Sequence, residues 1–232
     1  MRAFFCLFLP FLVQLSAVEA RTVLISKSVN YIEEIDFQGV GKLIIREGER
    51  AGLQIEGDEE IVHDTKIRVQ AGALRITRRD TGFRQPSSSL VCTVTVTHDF
   101  RKLTLKGDAL LETERLVLPN LQADLHDRSS GLLFLTGGNF SCRIYDAARL
   151  TTQGSVKRQE VLVEDMGEYR GAGLDSRVCE VKVVGQGVAD VEAEEKLSAF
   201  VLGQGRVNYT AEPRELEKRV SGTGQITLRS KT

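Results

Sequence analysis

Three aspartates recur at a constant spacing and carry the side chains best suited to hold a cation. Asp127, Asp146 and Asp165 are separated by 19 and 19 residues. In a chain that coils with this period they would stack about 4.8 Å apart, where like charges repel by about 1 kcal/mol or more. A calcium ion bound by these carboxylates, with backbone carbonyls or water completing its shell, would offset that repulsion.

A structural role for the same aspartates is the favoured interpretation. Aspartate tolerates the left-handed backbone of a tight corner better than most residues, and its carboxylate can bond local backbone amides. The same corner is held by glycine elsewhere in the chain, and Arg128 and Arg149 stand near enough in sequence to neutralise the charge. We therefore predict turns and no metal site, with calcium as the alternative.

Glycine pairs could be mistaken for phosphate-binding loops. In a dinucleotide fingerprint a third glycine follows the Gly-x-Gly pair by three residues and a helix begins there. After Gly187 and Gly205 those positions hold Asp190 and Asn208, and strand patterns follow. These glycines are predicted to form corners, and no cofactor is expected.

No other catalytic or metal-binding constellation stands out. The histidines, His63, His98 and His126, lack zinc-site spacing, and the chain has no Gly-x-Ser-x-Gly elbow. Asn139-Phe-Ser141 and Asn208-Tyr-Thr210 match the glycosylation acceptor and are interpreted as chance matches. We predict no catalytic residue; an enzyme acting on polysaccharides would have to use the aspartate column.

Composition limits the protein classes. The 232 residues are 41% hydrophobic and 27% charged, as in globular proteins, and the net charge is -1. With no basic surplus to neutralise phosphates, nucleic acid is excluded as a partner. There is no tryptophan, so the core is expected to be aliphatic.

The first 20 residues have the three-part pattern of a secretory signal. Met1-Arg2 precede the apolar stretch 3–13, and small residues follow up to Ala20. Residues 1–20 are predicted to be a signal peptide, and the mature chain to begin at Arg21 without a membrane span. Such a chain would be periplasmic, extracellular or at the cell surface.

The corners repeat along the chain at nearly constant spacing. The first residues of successive small-residue motifs are at positions 107, 127, 146, 165, 185, 203 and 222, so the steps are 20, 19, 19, 20, 18 and 19. This period is typical of a solenoid, in which each repeat buries its face only against its neighbours.

The segment before each corner alternates between apolar and polar residues, which indicates a strand. Phe140, Cys142 and Ile144 occupy the same places as Cys179, Val181 and Val183, while Gln159 and Lys218 are misfits. The fold is predicted to be all-β, a right-handed parallel β-helix with coils of about 19 residues. An antiparallel sandwich would not repeat its side-chain types in register.

The segment from Val23 to Val96 is rich in strand patterns but less periodic. Short apolar pairs such as Leu43 and Ile45 are separated by turn residues, and Thr81–Ser89 is predicted to be a loop. No linker divides the chain, so residues 21–232 are predicted to form one domain.

Three cysteines would remain after export: Cys92, Cys142 and Cys179. Cys142 and Cys179 lie two coils apart, about 9.6 Å, beyond the roughly 7 Å Cα limit of a disulfide. We predict three buried, inert thiols that act as small apolar side chains.

The order of these motifs resembles a known family. Phe37-Gln-Gly-Val-Gly, Leu53-Gln-Ile-Glu-Gly-Asp and Ala71-Gly-Ala-Leu-Arg-Ile precede the Gly-x-Gly corners. Over about residues 30–228 this arrangement is similar to the secreted bacterial auto-transporter adhesin head, or GIN, domain. The resemblance implies a parallel β-helix, export and no established enzymatic activity. The sequence departs from it where aspartate replaces the first glycine.

Together these observations predict a secreted, non-catalytic binding or structural module of the bacterial cell envelope. Its partner would be an envelope or surface ligand, glycan or protein. The alternative is a carbohydrate-active enzyme on the same scaffold, which would need a cleft with converging charged groups.

Overall fold

A computed structural model describes residues 22–78 and 90–229, and most of them lie in strands. The N-terminal elements are β1 (Thr22–Ser28), β2 (Glu34–Gln38), β3 (Gly41–Glu47), β4 (Gly52–Asp58), α1 (Glu59–Asp64), β5 (Lys66–Gln70), β6 (Ala73–Thr77), β7 (Val91–Val96) and β8 (Lys102–Lys106). The remaining strands are β9 (Ala109–Leu125), β10 (Ser130–Ile144), β11 (Arg149–Asp165), β12 (Glu168–Gly185), β13 (Val188–Val191), β14 (Lys196–Gly203), β15 (Arg206–Tyr209), β16 (Glu215–Gly222) and β17 (Gln225–Leu228).

The strands from β8 onward stack in parallel, coil on coil. Asp165 pairs with Gly185, Gly185 with Gly203, and Gly203 with Gly222, so the predicted corner residues form one column. The result is a β-solenoid with coils of about 19 residues. The predicted parallel β-helix and its period are confirmed, and its right-handedness stays a prediction.

The inward-facing residues form columns of buried side chains. In one column Cys142, Val161, Val181 and Ala199 lie in register, and each is at most 4% exposed. Since every coil presents the same face to the next, apolar burial along these columns stabilises the stack as a whole.

Gln159, which breaks the apolar pattern, is fully buried and has a specific partner. Its Nε2 donates a hydrogen bond to the hydroxyl of Tyr169 at 2.6 Å, and that hydroxyl lies 2.7 Å from Oγ1 of Thr152. All three side chains are 0% exposed. The misfit therefore belongs to a polar cluster inside the solenoid, where its hydrogen bonds offset part of the cost of burial.

The order of the first coils differs from their order in the sequence. Strand β2 lies between β6 and β8, and β3 lies between β7 and β9, with all four pairings parallel. The chain therefore enters the solenoid in its second layer, builds the end layer with β6 and β7, and then returns to continue from β8.

Antiparallel strands cover this N-terminal end. Strand β4 pairs with β7 and with β1, and β5 pairs with β6. The sequence predicted strands here but neither the reversed pairing nor α1, because short apolar pairs carry no information about strand direction. The predicted loop Thr81–Ser89 and the predicted signal peptide lie outside the described residues.

At the C-terminal end the inner columns of side chains continue, but their last members are exposed to solvent. Leu216, Lys218 and Val220 are in register with the buried Leu197, Ala199 and Val201. Leu216 is nevertheless 42% exposed and Val220 46% exposed, since no further described strand covers them.

Helical structure within the described ranges is confined to the six residues of α1. None of it has the length and apolar character needed to cross a bilayer.

Candidate functional site

The three aspartates form the predicted left-handed corner. Their φ angles are 61° at Asp127, 58° at Asp146 and 56° at Asp165, inside the small region that aspartate tolerates. The glycines of the same column are more extreme, with φ of 99° at Gly185 and 121° at Gly203. The column therefore divides into aspartate corners and corners that only glycine suits.

Two of the three aspartate carboxylates accept hydrogen bonds from the backbone of the preceding coil. Oδ2 of Asp127 accepts a hydrogen bond from the backbone amide of Gly107 at 2.7 Å. Oδ2 of Asp146 accepts one from the amide of Asp127 at 3.0 Å. The carboxylates were predicted to bond local backbone amides, but these amides are 20 and 19 residues away, on the preceding coil. The bonds tie successive corners together and place negative charge where amide dipoles favour it.

The neighbouring arginines form ion pairs with other acidic groups. Arg128 donates two hydrogen bonds of 2.7 Å to the carboxylate of Asp108, and Arg149 lies 3.4 Å from Glu168. The structure thus shows partners for both arginines outside the aspartate column. Among residues 22–78 and 90–229, no three His, Cys, Asp or Glu side chains are grouped so that they could hold a metal ion.

An open groove of about 740 Å³, the corner groove, follows the aspartate column. Its lining includes the three aspartates together with the exposed side chain of Met166 and with Gln186. The carboxylates of Asp127 and Asp146 accept backbone hydrogen bonds here, so these side chains contribute to the structure of the corner.

The three histidines have separate environments. His63 lies on α1, and His98 is within 3.2 Å of Asp99 on the surface. The ring of His126 stacks on Tyr145 of the next coil, with centroids 4.6 Å apart and planes 7° from parallel. Partial burial raises the pKa of Tyr145.

The Gly-x-Gly corners lead into strands, as predicted, so the dinucleotide interpretation has no structural basis. Strand β13 follows Gly187 and β15 follows Gly205. A Cβ on Gly203 would lie 2.7 Å from the carbonyl oxygen of Gly185. Close stacking of corners, together with positive φ, explains this glycine.

In both Asn-x-Ser/Thr motifs the asparagine side chain forms a hydrogen bond to the preceding coil. Asn139 donates to Oδ1 of Asn120 at 2.8 Å. Asn208 is 2% exposed and donates to Asp190 at 2.6 Å, while accepting from Thr227. These asparagines act as rungs of polar ladders along the solenoid.

The predicted state of Cys92, Cys142 and Cys179 is confirmed: all three are buried free thiols. Cys142 pairs with Val161, whereas Cys179 pairs with Gln159, so the two thiols stand in different columns as well as different coils. Burial raises the pKa of Cys92 to about 12 and raises that of the other two.

A second groove of about 740 Å³, the lateral groove, runs across five coils. It crosses the middle of β10, β11 and β12 and then the segments 192–194 and 211–212, which precede β14 and β16. No sequence motif marks this groove, although the 19-residue period aligns its residues as it aligns the corners. Its lining residues are Thr136, Gly137, Ser155, Val156, Lys157, Asp175, Ser176, Arg177, Glu192, Ala193, Glu194, Ala211 and Glu212.

Hydrogen bonds between coils hold the floor of the lateral groove. The hydroxyl of Ser176 donates to the carbonyl of Glu192 at 2.6 Å, and Thr210 donates to the Glu192 carboxylate at 2.7 Å. Glu194 lies 3.9 Å from Arg214 at the surface. The groove is therefore a preformed polar surface rather than a flexible loop region.

Comparison with known proteins supports the fold. A family model described as "Putative auto-transporter adhesin, head GIN domain" matches residues 32–213. A crystal structure of a putative adhesin from Bacteroides fragilis NCTC 9343 superposes with a TM-score of 0.80 at 19% identity, covering 90% of this chain and 97% of that one.

Two structures from Parabacteroides distasonis ATCC 8503 share the fold. One, described as a putative adhesin, has a TM-score of 0.70 at 17% identity and covers 91% of this chain and 98% of its own. The other, described as a putative lipid binding protein, has a TM-score of 0.68 at 18% identity with the same coverage. The search of curated proteins gave no match.

The family match spans more than half of the chain and agrees with the stacked coils and glycine corners described above. This chain belongs to the family described as the putative auto-transporter adhesin head GIN domain.

Proposed function

We propose that this protein is an exported, non-catalytic binding module of the bacterial cell envelope and that the lateral groove holds its ligand. The family and its structural relatives support an adhesive role. The predicted signal at residues 1–20 supports export to the periplasm or cell surface. One domain covering 21–232 is the accompanying proposal for the mature chain.

The charge of the lateral groove carries the proposal. Four carboxylates (Asp175, Glu192, Glu194 and Glu212) line it against two cations (Lys157 and Arg177), and Arg214 beside Glu194 brings the local balance to −1. A ligand with positive charge gains from this field, whereas a polyanion is repelled.

The lining also narrows the chemical class of ligand. No aromatic side chain is among the described residues that form the groove, so a sugar ring finds no face on which to stack. Serine, threonine and carboxylate groups are suited to the backbone and side-chain donors of a peptide. A protein segment containing lysine or arginine therefore fits better than a neutral glycan.

A charge-reversal pair tests the proposal. Binding of a Lys/Arg-rich peptide, an acidic peptide of the same length and soluble envelope glycans would be measured by biolayer interferometry at low and high salt. Glu194→Lys should weaken binding of the basic peptide by about tenfold. Glu114→Lys, at an exposed carboxylate outside both grooves, is the matched control.

Three outcomes would contradict the proposal in different ways. Equal binding of the acidic and basic peptides would reject the charge argument, and equal losses in both variants would reject the groove. Cleavage of a polysaccharide in a parallel turnover assay would establish the carbohydrate-active alternative instead.

A further inference from the structure

Strand β16, in the last described coil, has one described partner. It pairs with β14 in parallel, and among residues 22–78 and 90–229 no strand lies on its other side. Leu216 and Val220 extend the inner columns, yet both are more than 40% exposed. An edge of this kind presents unpaired backbone groups and an open apolar face to any strand that can pair with it.

The side chains of β16 alternate strictly between two faces. Leu216, Lys218 and Val220 point toward the solenoid interior, as their register with β14 requires, and Glu217 and Arg219 point outward. In an antiparallel pair, directly opposite residues share a face. A second β16 strand can therefore pair only in registers that keep inward residues opposite inward ones.

One such register is self-complementary. With Lys218 opposite Lys218 on a two-fold axis, Leu216 faces Val220 and Glu217 faces Arg219, and each contact occurs twice. A shift of two residues in one direction sets Glu217 against Glu217, and a shift in the other sets Arg219 against Arg219. Charge and apolar contact thus select the same register.

We propose that a second copy of this chain covers the C-terminal end, through antiparallel β16–β16 pairing in this register. The pairing is isologous, as expected for a two-fold dimer, and it joins two solenoids tail to tail with their apolar interiors facing. Leu216 and Val220 supply the apolar contacts, and Ile226 on β17 of the same coil packs against the core.

Opposed Lys218 side chains are the unfavourable contact in this arrangement. The structure shows where that charge goes: Nζ donates to the hydroxyl of Tyr209 at 2.6 Å and lies 4.4 Å from the centre of its ring. Both ammonium groups are thus drawn toward their own solenoids, away from the two-fold axis. A Lys218→Met variant should associate more tightly than the parent chain.

Sedimentation velocity on the full chain across micromolar concentrations tests the pairing. Arg219→Glu should lower the association constant by about tenfold or more, because it places like charges opposite each other twice. The double variant E217R/R219E should restore association, since the swapped charges are again opposite in the proposed register.

Arg158→Glu is the matched control. Arg158 forms a 2.8 Å ion pair with Glu160 two residues away, as Arg219 does with Glu217, but on β11, which is paired on both sides. This variant should leave association unchanged. A chain that stays monomeric at every concentration, or a dimer that persists in Arg219→Glu, would overturn the proposal, as would failure of the double variant to restore it.

Discussion

The two ends of the solenoid differ in how the apolar face of the terminal coil is covered. At the N-terminal end the last layer, β6 and β7, is overlaid by β4 and β5 in antiparallel pairing, and Ile76 is 0% exposed. At the C-terminal end the last layer is bare within the described ranges, and Val220 is 46% exposed. One end is closed by the chain itself, whereas the other, as far as residues 22–78 and 90–229 show, ends in a strand edge.

This difference follows from how repeats bury apolar surface. An inner coil is covered on both sides by neighbours, whereas a terminal coil needs a cap of another design. The N-terminal segment provides that cap by breaking the period. The last coil instead keeps the period up to β17, so its inner face stays available to a partner.

Truncation of the terminal apolar residues should expose the difference most strongly. Ile76→Ala should lower the free energy of unfolding by about 2–5 kcal/mol, because the side chain is fully buried and leaves a cavity. Val220→Ala should cost below about 1 kcal/mol, since nearly half of that side chain is already in water. Equilibrium denaturation in urea measures both.

Similar costs at the two positions would contradict the contrast between a closed and an open end. Measurement at low protein concentration keeps self-association from adding to the effect of Val220→Ala.

Substitutions at the corners should separate the aspartate corners from the glycine corners that lie nearer the C-terminal end. Gly203→Asp should cost about 1–3 kcal/mol, because φ is 121° and the new Cβ would meet the carbonyl of Gly185. Asp146→Gly should change stability by less than about 1 kcal/mol, as relaxed backbone strain offsets the lost hydrogen bond. Thermal melts of both variants compare them; a neutral Gly203→Asp would show that the corner glycines are interchangeable with aspartate.

The two polar residues that break the apolar pattern, Gln159 and Lys218, should also differ: loss of the hydroxyl partner should cost more stability at the buried Gln159 than at Lys218. Tyr169→Phe removes the partner of buried Gln159 and Thr152 and should cost about 1–3 kcal/mol. Tyr209→Phe removes the hydroxyl partner of Lys218, which is exposed, and should cost below about 1 kcal/mol. Urea denaturation of the pair is the measurement, and a larger loss in Tyr209→Phe would mean that the end is drier than the structure indicates.

Raising the pH into the alkaline range should lower the stability of the fold gradually. Burial raises the folded-state pKa of Cys92 from 9.0 to about 12, so the folded chain keeps a proton that the unfolded chain releases. Its contribution to stability is full below pH 9 and declines as pH rises toward 12, by at most about 1.4 kcal/mol per pH unit for one thiol. Cys92→Ala should flatten the decline relative to the parent chain, as followed by urea midpoints between pH 8 and pH 11; an unchanged slope would contradict the raised pKa.

The repeat itself could be predicted because each coil carries the same short pattern of corner and inward-facing residues. The positions of Asp127, Asp146 and Gly185, and the inward columns that contain Cys142 and Cys179, follow from a period that each coil repeats. Burial of the thiols and the left-handed corners followed from the same columns, and the structure confirms both. Even the misfits were visible, although the tyrosines that accommodate them were not.

The interruptions of the repeat could not be predicted from the period. The placement of β2 between β6 and β8, the reversed direction of β4 and β5, and the lateral groove all depend on contacts between segments far apart in sequence. The repeat period predicts which residues of one coil contact the next coil, but it does not predict which coil lies at the end of the stack. The ends and grooves are therefore set by long-range pairing, whereas the coils between them are set by the sequence pattern.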